Sequence, residues 1–260
     1  MKERAKTAMI TGASSGIGAA YAKQLAEQGY NLVLIARRET RLQQLAVELE
    51  QSHAVQVEIM TADLSQSDDL MKVISKIEQL EQLDVVVNCA GAGALGLSQK
   101  VSTAQIHQML QVNIVALTEI SLAAVKRLSQ QGGGKLINIG SILAMMPTAG
   151  AAAYSASKAY VLSFSRSLQL ELKSQGVLVQ VVMPGPIKTE FFAEGAAPFP
   201  EDWFMQAETL VQIALQALAR GEDLVFPNLE NLSLWQQHEN SRLALSQGLT
   251  QVAAVPTRYR

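Results

Sequence analysis

Short apolar runs alternate with longer amphipathic stretches along most of the chain. Ala8-Met9-Ile10 predicts a first strand, and Ile17 to Gln28 a helix stopped by Gly29. Asn31 to Ala36 carries Leu32-Val33-Leu34-Ile35 and predicts a strand buried on both faces. Leu42, Leu45 and Leu49 recur at spacings of three and four, one face of a second helix. Val55 to Met60 is the next strand. Ser67 to Leu80 is helical, with Asp68 and Asp69 in the first turn, where the helix end favours negative charge. Val85-Val86-Val87 is a strand, and Thr103 to Gln130 is helical in two pieces. Gly132-Gly133-Gly134 breaks the chain before the strand Lys135 to Ile139. Tyr154 to Ser174 is a helix and Leu178 to Met183 a strand, ended by Pro184-Gly185-Pro186. Thr209 to Ala219 is a helix, and Leu224-Val225-Phe226 a last short strand. This alternation predicts an α/β fold with a doubly wound, mostly parallel sheet. With no linker or repeat in view, residues 1–260 are expected to form a single domain.

Composition narrows the function classes. Apolar residues make up 48% of the chain and charged residues 17%, a balance that excludes disorder. The net charge is -2 and no Lys/Arg run exceeds two residues, so no nucleic-acid partner is expected. Cys89 is the single cysteine, which excludes an intrachain disulfide and suits a reducing compartment. The charged start, Met1 to Lys6, leads into an apolar run too short for a signal peptide and broken by Gly12-Ala13-Ser14-Ser15-Gly16. No uninterrupted apolar stretch reaches the length of a membrane span. The expectation is a cytoplasmic protein with no membrane partner. His53, His107 and His238 are scattered without metal-ligand spacing, so no metal is expected.

Thr11-Gly12-Ala13-Ser14-Ser15-Gly16-Ile17-Gly18 lies between the first strand and the first helix. Glycines there permit a tight turn and close approach of a pyrophosphate, and the helix start supplies N–H groups with partial positive charge. A plain glycine-rich turn is the alternative. The spacing Thr-Gly-x-x-x-Gly-x-Gly resembles that of the short-chain dehydrogenases/reductases, and the resemblance runs in order from about residue 6 to about residue 190. It implies a Rossmann-like fold of three layers, α/β/α. It also implies hydride transfer between a nicotinamide dinucleotide and a small carbonyl or alcohol.

The same resemblance distributes the cofactor contacts. Gly12, Ser14, Ser15, Gly16, Ile17 and Gly18 would cradle the pyrophosphate. The second strand ends in Ala36 rather than the carboxylate that binds ribose hydroxyls in NAD enzymes, and Arg37 and Arg38 follow. A guanidinium forks onto a phosphate, so NADP(H) is the expected cofactor, with Arg37 the main ligand and Arg38 a helper. Two solvated arginines at a helix start are the alternative. Asp63, followed by Leu64, would bind the adenine, although a turn Asp reads equally well. Asn88, Ala90 and Gly91 belong to Asn88-Cys89-Ala90-Gly91, where the family commonly has Asn-Asn-Ala-Gly; Cys89 reads as a small buried thiol with no cation near it in sequence. Pro184, Gly185, Ile187 and Thr189 resemble the Pro-Gly segment that meets the nicotinamide carboxamide; Thr189 could equally cap the segment after it.

Tyr154 and Lys158 are four apart, on one helix face, and Ser141 lies thirteen residues before Tyr154 near a strand end. A phenol is a poor acid or base at neutral pH unless a cation lowers its pKa. The resemblance makes Tyr154 the general acid and base, and Lys158 the residue that tunes it and holds the nicotinamide ribose. Ser141 would bond the substrate oxygen, and Asn113 would hold a relay water. Phe191, Phe192, Phe199, Trp203, Phe204 and Met205 suggest a lid near residues 190–206 over an apolar substrate. Leu95, Leu97, Ile142, Leu143, Met145 and Met146 are candidates for the opposite wall. Residues 228–260 depart from the strand and Asp-Gly-Gly ending of many members, which weakens a 3-oxoacyl-thioester reductase reading. A non-catalytic dinucleotide-binding regulator would lack Tyr154 or Lys158. Apolar positions on Ile114 to Leu128 and on Tyr154 to Leu172 exceed one stripe, and the resemblance pairs these helices in a homodimer or homotetramer.

Overall fold

The structure is a computed structural model that describes residues 6–191 and 199–250. It divides into two compact units, Met1–Pro227 and Asn228–Arg260. In the first, seven parallel strands form one sheet. They are β1 (Thr7–Thr11), β2 (Asn31–Ala36), β3 (Val57–Thr61), β4 (Val85–Asn88), β5 (Gly134–Ile139), β6 (Val177–Val182) and β9 (Leu224–Val225). Their spatial order is β3-β2-β1-β4-β5-β6-β9, every neighbouring pair parallel. The order reverses between β1 and β4, and a crevice opens at such a switch point on the carboxyl side of the strands.

Alternation along the strands sorts the core into two layers. Ala8, Ile10, Leu32 and Leu34 pack with helices α1 (Gly16–Glu27), α2 (Glu39–Ser52) and α7 (Ala207–Ala219). Met9, Val33 and Ile35 face the other way, onto α3 (Ser67–Gln79), α5 (Leu117–Gln130) and α6 (Ala152–Leu172). Leu42, Leu45 and Leu49 are all buried, as their spacing requires. A polar row crosses the second layer: Asn88 donates to Ser121 and to Asn138 Oδ1, and Asn138 donates to Ser165, each at 2.9 Å. Buried amides demand such partners, and these pin α5 and α6 to the middle of the sheet.

Three features differ from the reading of the sequence. Thr103–Gln130 is one helical run rather than two pieces: α4 (Thr103–Leu110) passes through a π-helical segment, Gln111–Ala116, into α5. That run is long and apolar enough to cross a membrane by length and composition, although Glu119, Lys126 and Arg127 interrupt its apolar residues; here Leu117, Ile120, Ala124 and Leu128 are buried. A second, two-stranded parallel sheet joins β7 (Ile187–Lys188) to β8 (Met205–Gln206) at the base of the expected lid. The unit Asn228–Arg260 contains α8 (Leu232–Thr250), which buries none of its residues and exposes Leu232, Leu234, Leu243, Leu245 and Leu249.

Candidate active site

A cleft of about 920 Å³ runs along the carboxyl ends of the strands. At the switch point, Thr11 Oγ1 accepts from the backbone N–H groups of Cys89 and Ala90, each at 3.1 Å. This clamp draws the β4 loop onto the glycine turn. A Cβ on Gly12 would stand 2.9 Å from Ala90 Cα, and one on Gly18 would stand 2.3 Å from Gly12 O. No larger residue fits either place. α1 starts at Ser15 with no side-chain cap and no acidic residue in its first turn. Its positive end therefore has no carboxylate in its own first turn, which fits a pyrophosphate.

Most residues singled out in the sequence line this one cleft: Gly12, Ser14, Ser15, Gly16, Ile17, Arg37, Arg38, Asp63 and Leu64 toward one end, with Ala90, Gly91, Ser141, Tyr154, Pro184, Gly185, Ile187 and Thr189. Gly18, Asn88, Asn113 and Lys158 stand behind its wall instead. Gly18 packs under the turn, and Asn88 serves the buried polar row. Asp63 Oδ1 accepts from Ser65 N at 3.0 Å and Ser65 Oγ at 2.8 Å, so the turn role is real while the residue still borders the cleft.

Of the two arginines, Arg38 reaches the glycine turn. Arg38 donates from Nε and Nη2 to Ser14 Oγ at 3.1 and 3.0 Å, and from Nη2 to Ser15 Oγ at 2.6 Å. Its guanidinium thus lies on the phosphate turn, whereas Arg37 borders the cleft beside it. Sequence reasoning missed Glu190 and Arg41. Glu190 Oε2 accepts from Arg38 Nη1 at 2.6 Å, and both its oxygens accept from Arg41 Nη1 at 2.7 Å. Those pairs join residues about 150 positions apart, which no local pattern signals.

Tyr154 and Lys158 share the face of α6 that meets the sheet end. The Tyr154 hydroxyl is hydrogen-bonded with Ser141, which favours the phenolate, but burial outweighs this and pushes the phenol up to about 12. Lys158 Nζ donates to Ile139 O at 2.8 Å and lies 5.8 Å from the centre of the Tyr154 ring. Burial brings Lys158 down to about 8, with Cys89 acting the other way. The fold therefore supplies the cation near Cys89 that the sequence lacks, yet burial holds that thiol up at about 12. Asn113, in the π-helical segment, accepts from Ala92 N at 2.9 Å and donates to Ala92 O at 3.0 Å and to Ser157 Oγ at 3.2 Å.

The apolar walls are narrower than expected. Phe191, Phe199 and Trp203 border the cleft, opposite Leu95, Ile142, Leu143 and Met146. Phe204 packs edge-on against Phe199, Met205 and Met145 pack against the core, and Leu97 is exposed. Phe192 lies outside the described residues. Among the described residues no group of three or more His, Cys, Asp or Glu could hold a metal.

A Rossmann-like sheet with a glycine turn, an arginine on that turn and a tyrosine–serine pair farther along one cleft defines a dinucleotide-dependent oxidoreductase. The family model for short chain dehydrogenase matches residues 6–198, and the chain belongs to that family, whose members use a nicotinamide dinucleotide. It is 38% identical to sulfoacetaldehyde reductase 2 of Chromohalobacter salexigens, over 70% of this chain and 73% of that one. A short-chain dehydrogenase from Sphingobium yanoikuyae, solved in complex with NADPH, matches at TM-score 0.93 and 35% identity, covering 98% of this chain and 100% of that one. The bulky-bulky ketone specific alcohol dehydrogenase from Comamonas testosteroni matches at 0.91 and 34%, covering 99% of each. Matches over nearly the full length extend into residues 228–260, so these relatives share that segment.

Proposed function

We propose that this protein is an NADP(H)-dependent carbonyl reductase, equally an alcohol dehydrogenase, acting on ketones or aldehydes with large apolar groups. The observation that carries it is the continuity of one cleft from Arg38, on the glycine turn, to the Tyr154–Ser141 pair between Phe191 and Ile142. The bound dinucleotide supplies the hydride for reduction, or accepts it for oxidation. Tyr154 donates its hydroxyl proton to the substrate oxygen during reduction and takes it back during oxidation. Ser141 bonds that oxygen and steadies its developing charge. Lys158 holds ribose hydroxyls from behind Gly91. Asn113 is a positioning residue, since its amide is committed to Ala92 and Ser157. Phe191, Phe199 and Trp203 form the apolar side of the substrate pocket, a chemistry supported by the likeness to a dehydrogenase of bulky ketones.

Arg38 takes the lead in holding the 2′-phosphate, with Arg37 beside it. We further assign the protein a homodimer or homotetramer built on α5 and α6, in the cytoplasm. Calorimetric titration tests the cofactor reading. Wild type binds NADPH more tightly than NADH, and Arg38→Ala weakens NADPH by about tenfold, the scale of a partly exposed charged hydrogen bond, while sparing NADH. Equal wild-type affinities for the two cofactors contradict it.

A further inference from the structure

Thr189, Glu190 and Phe191 form a strap from the phosphate turn to the catalytic tyrosine. Thr189 sits against the turn: a Cβ on Gly16 would come within 2.8 Å of its Cγ2. The Phe191 ring centre lies 5.6 Å from that of Tyr154, and the ring leaves 3.0 Å for a Cβ on Gly93. Between these contacts, the Glu190 carboxylate is forked by two guanidiniums. Arg38 Nη1 reaches it at 2.6 Å and Arg41 Nη1 at 2.7 Å, while the rest of Arg38 stays on Ser14 and Ser15. Two cations converge on this carboxylate, one of them also bonded to the two hydroxyls beside the helix start, and the anion the cations hold belongs to the chain itself.

We infer that Glu190 is a carboxylate latch, which holds Arg38 and Arg41 in place of a cofactor phosphate and must release them before they take one. The inference rests on the assignment of Arg38 to the phosphate. A phosphate monoester carries a charge of about −1.5 to −2, so adding it beside the carboxylate would overload two guanidiniums with negative charge. Repulsion then drives Glu190 off. Its neighbours limit how it leaves: Phe191 N donates to Thr189 Oγ1 at 3.3 Å, so a swing at Glu190 moves Phe191 relative to Tyr154. Cofactor choice and the position of the strap over Tyr154 are thereby set by one residue. Both pairs are exposed, and exposed ion pairs are weak. That suits a latch, since a charge-assisted phosphate contact exceeds what it must displace.

The test uses the cofactor-free protein and two probes, 2′,5′-ADP and 5′-AMP, which differ only in the 2′-phosphate. In calorimetric titrations Glu190→Gln binds 2′,5′-ADP roughly three- to tenfold more tightly than wild type, and 5′-AMP within about twofold. Unchanged affinity for 2′,5′-ADP, or an equal gain for both probes, overturns the latch. A wild type that does not prefer 2′,5′-ADP overturns the phosphate assignment instead, so the two failures are distinct. Hydrogen exchange reads the strap. In wild type, 2′,5′-ADP speeds exchange at the Phe191 amide and 5′-AMP does not; identical exchange with both probes overturns the coupling to Tyr154.

Discussion

Lys158 and Tyr154 share a pocket that disfavours charge on either. Their spacing of four was legible in the sequence, and so was Ser141 upstream. The sequence also predicts that the lysine and a nicotinamide cation together favour the phenolate; in the structure burial is the larger influence on the phenol. Lys158 spends a hydrogen bond on Ile139 O, and burial raises Tyr154 to about 12 in the absence of a cofactor. Burial cannot be read from a four-residue motif, because it depends on β5 and the Pro184-Gly185 segment closing around it. A pH dependence follows. Below about 8 Lys158 is protonated in both folded and unfolded chains, and its buried charge destabilises the fold in full. As pH rises from about 8 toward its ordinary 10.5, the folded chain releases the proton first, and stability rises. Tyr154 works oppositely from 10.0 to about 12, where the unfolded chain loses its proton first. Urea unfolding of wild type and Lys158→Met at pH 7.5 and 9.5, values below and inside that window respectively, measures the lysine alone. Wild type gains about 1–3 kcal/mol on the variant across that interval. A pH-independent difference contradicts the assignment.

Helices and strands were mostly legible, to within a few residues at their ends, because alternation and three-to-four spacing survive in sequence. The exceptions have physical reasons. A π-helical segment such as Gln111–Ala116 leaves no periodic signature, so the run from Thr103 to Gln130 reads as two pieces. The leucines of α8 do not fall on one stripe, so its helix went unseen. β7 and β8 are two residues each, too short to alternate. The glycine turn was legible because only glycine fits there. Its Gly18 offers an element-scale test, since an added Cβ meets backbone, not a movable side chain. Gly18→Ala costs about 1–3 kcal/mol in stability by overpacking, and displaces the start of α1 enough to weaken either cofactor at least about tenfold. Thermal unfolding and calorimetric titration check both; a variant with wild-type affinity contradicts the cradle.

At the scale of the whole molecule, the sheet order puts the reversal at β1 and β4, and the glycine turn and the β4 loop meet there. A doubly wound, mostly parallel sheet was expected from the alternation of elements, without its strand order. The placing of Arg38 on Ser14 and Ser15 was not expected, because side-chain reach across a turn is not encoded in spacing. Assembly needs a similar revision. Of the apolar positions that exceed one stripe, Ala116, Ala123 and Val161 are buried within the chain itself. Leu122, Tyr160 and Leu170 remain exposed on α5 and α6, and Tyr160 is joined to Thr118 across them at 2.9 Å. Sedimentation equilibrium is expected to give twice or four times 28.0 kDa, and a mass of 28.0 kDa contradicts the assembly.

The central claim is that Tyr154 moves a proton to or from a carbonyl oxygen in an NADP(H)-dependent reaction. Its most direct test follows NADPH absorbance with ketones bearing two bulky apolar substituents, for wild type and Tyr154→Phe, alongside NADPH binding to each. The account predicts that wild type consumes NADPH and forms an equal amount of alcohol. Tyr154→Phe should bind NADPH nearly as well but lose turnover by at least about a hundredfold, the lower range for general acid catalysis. Turnover in Tyr154→Phe close to that of wild type would contradict it.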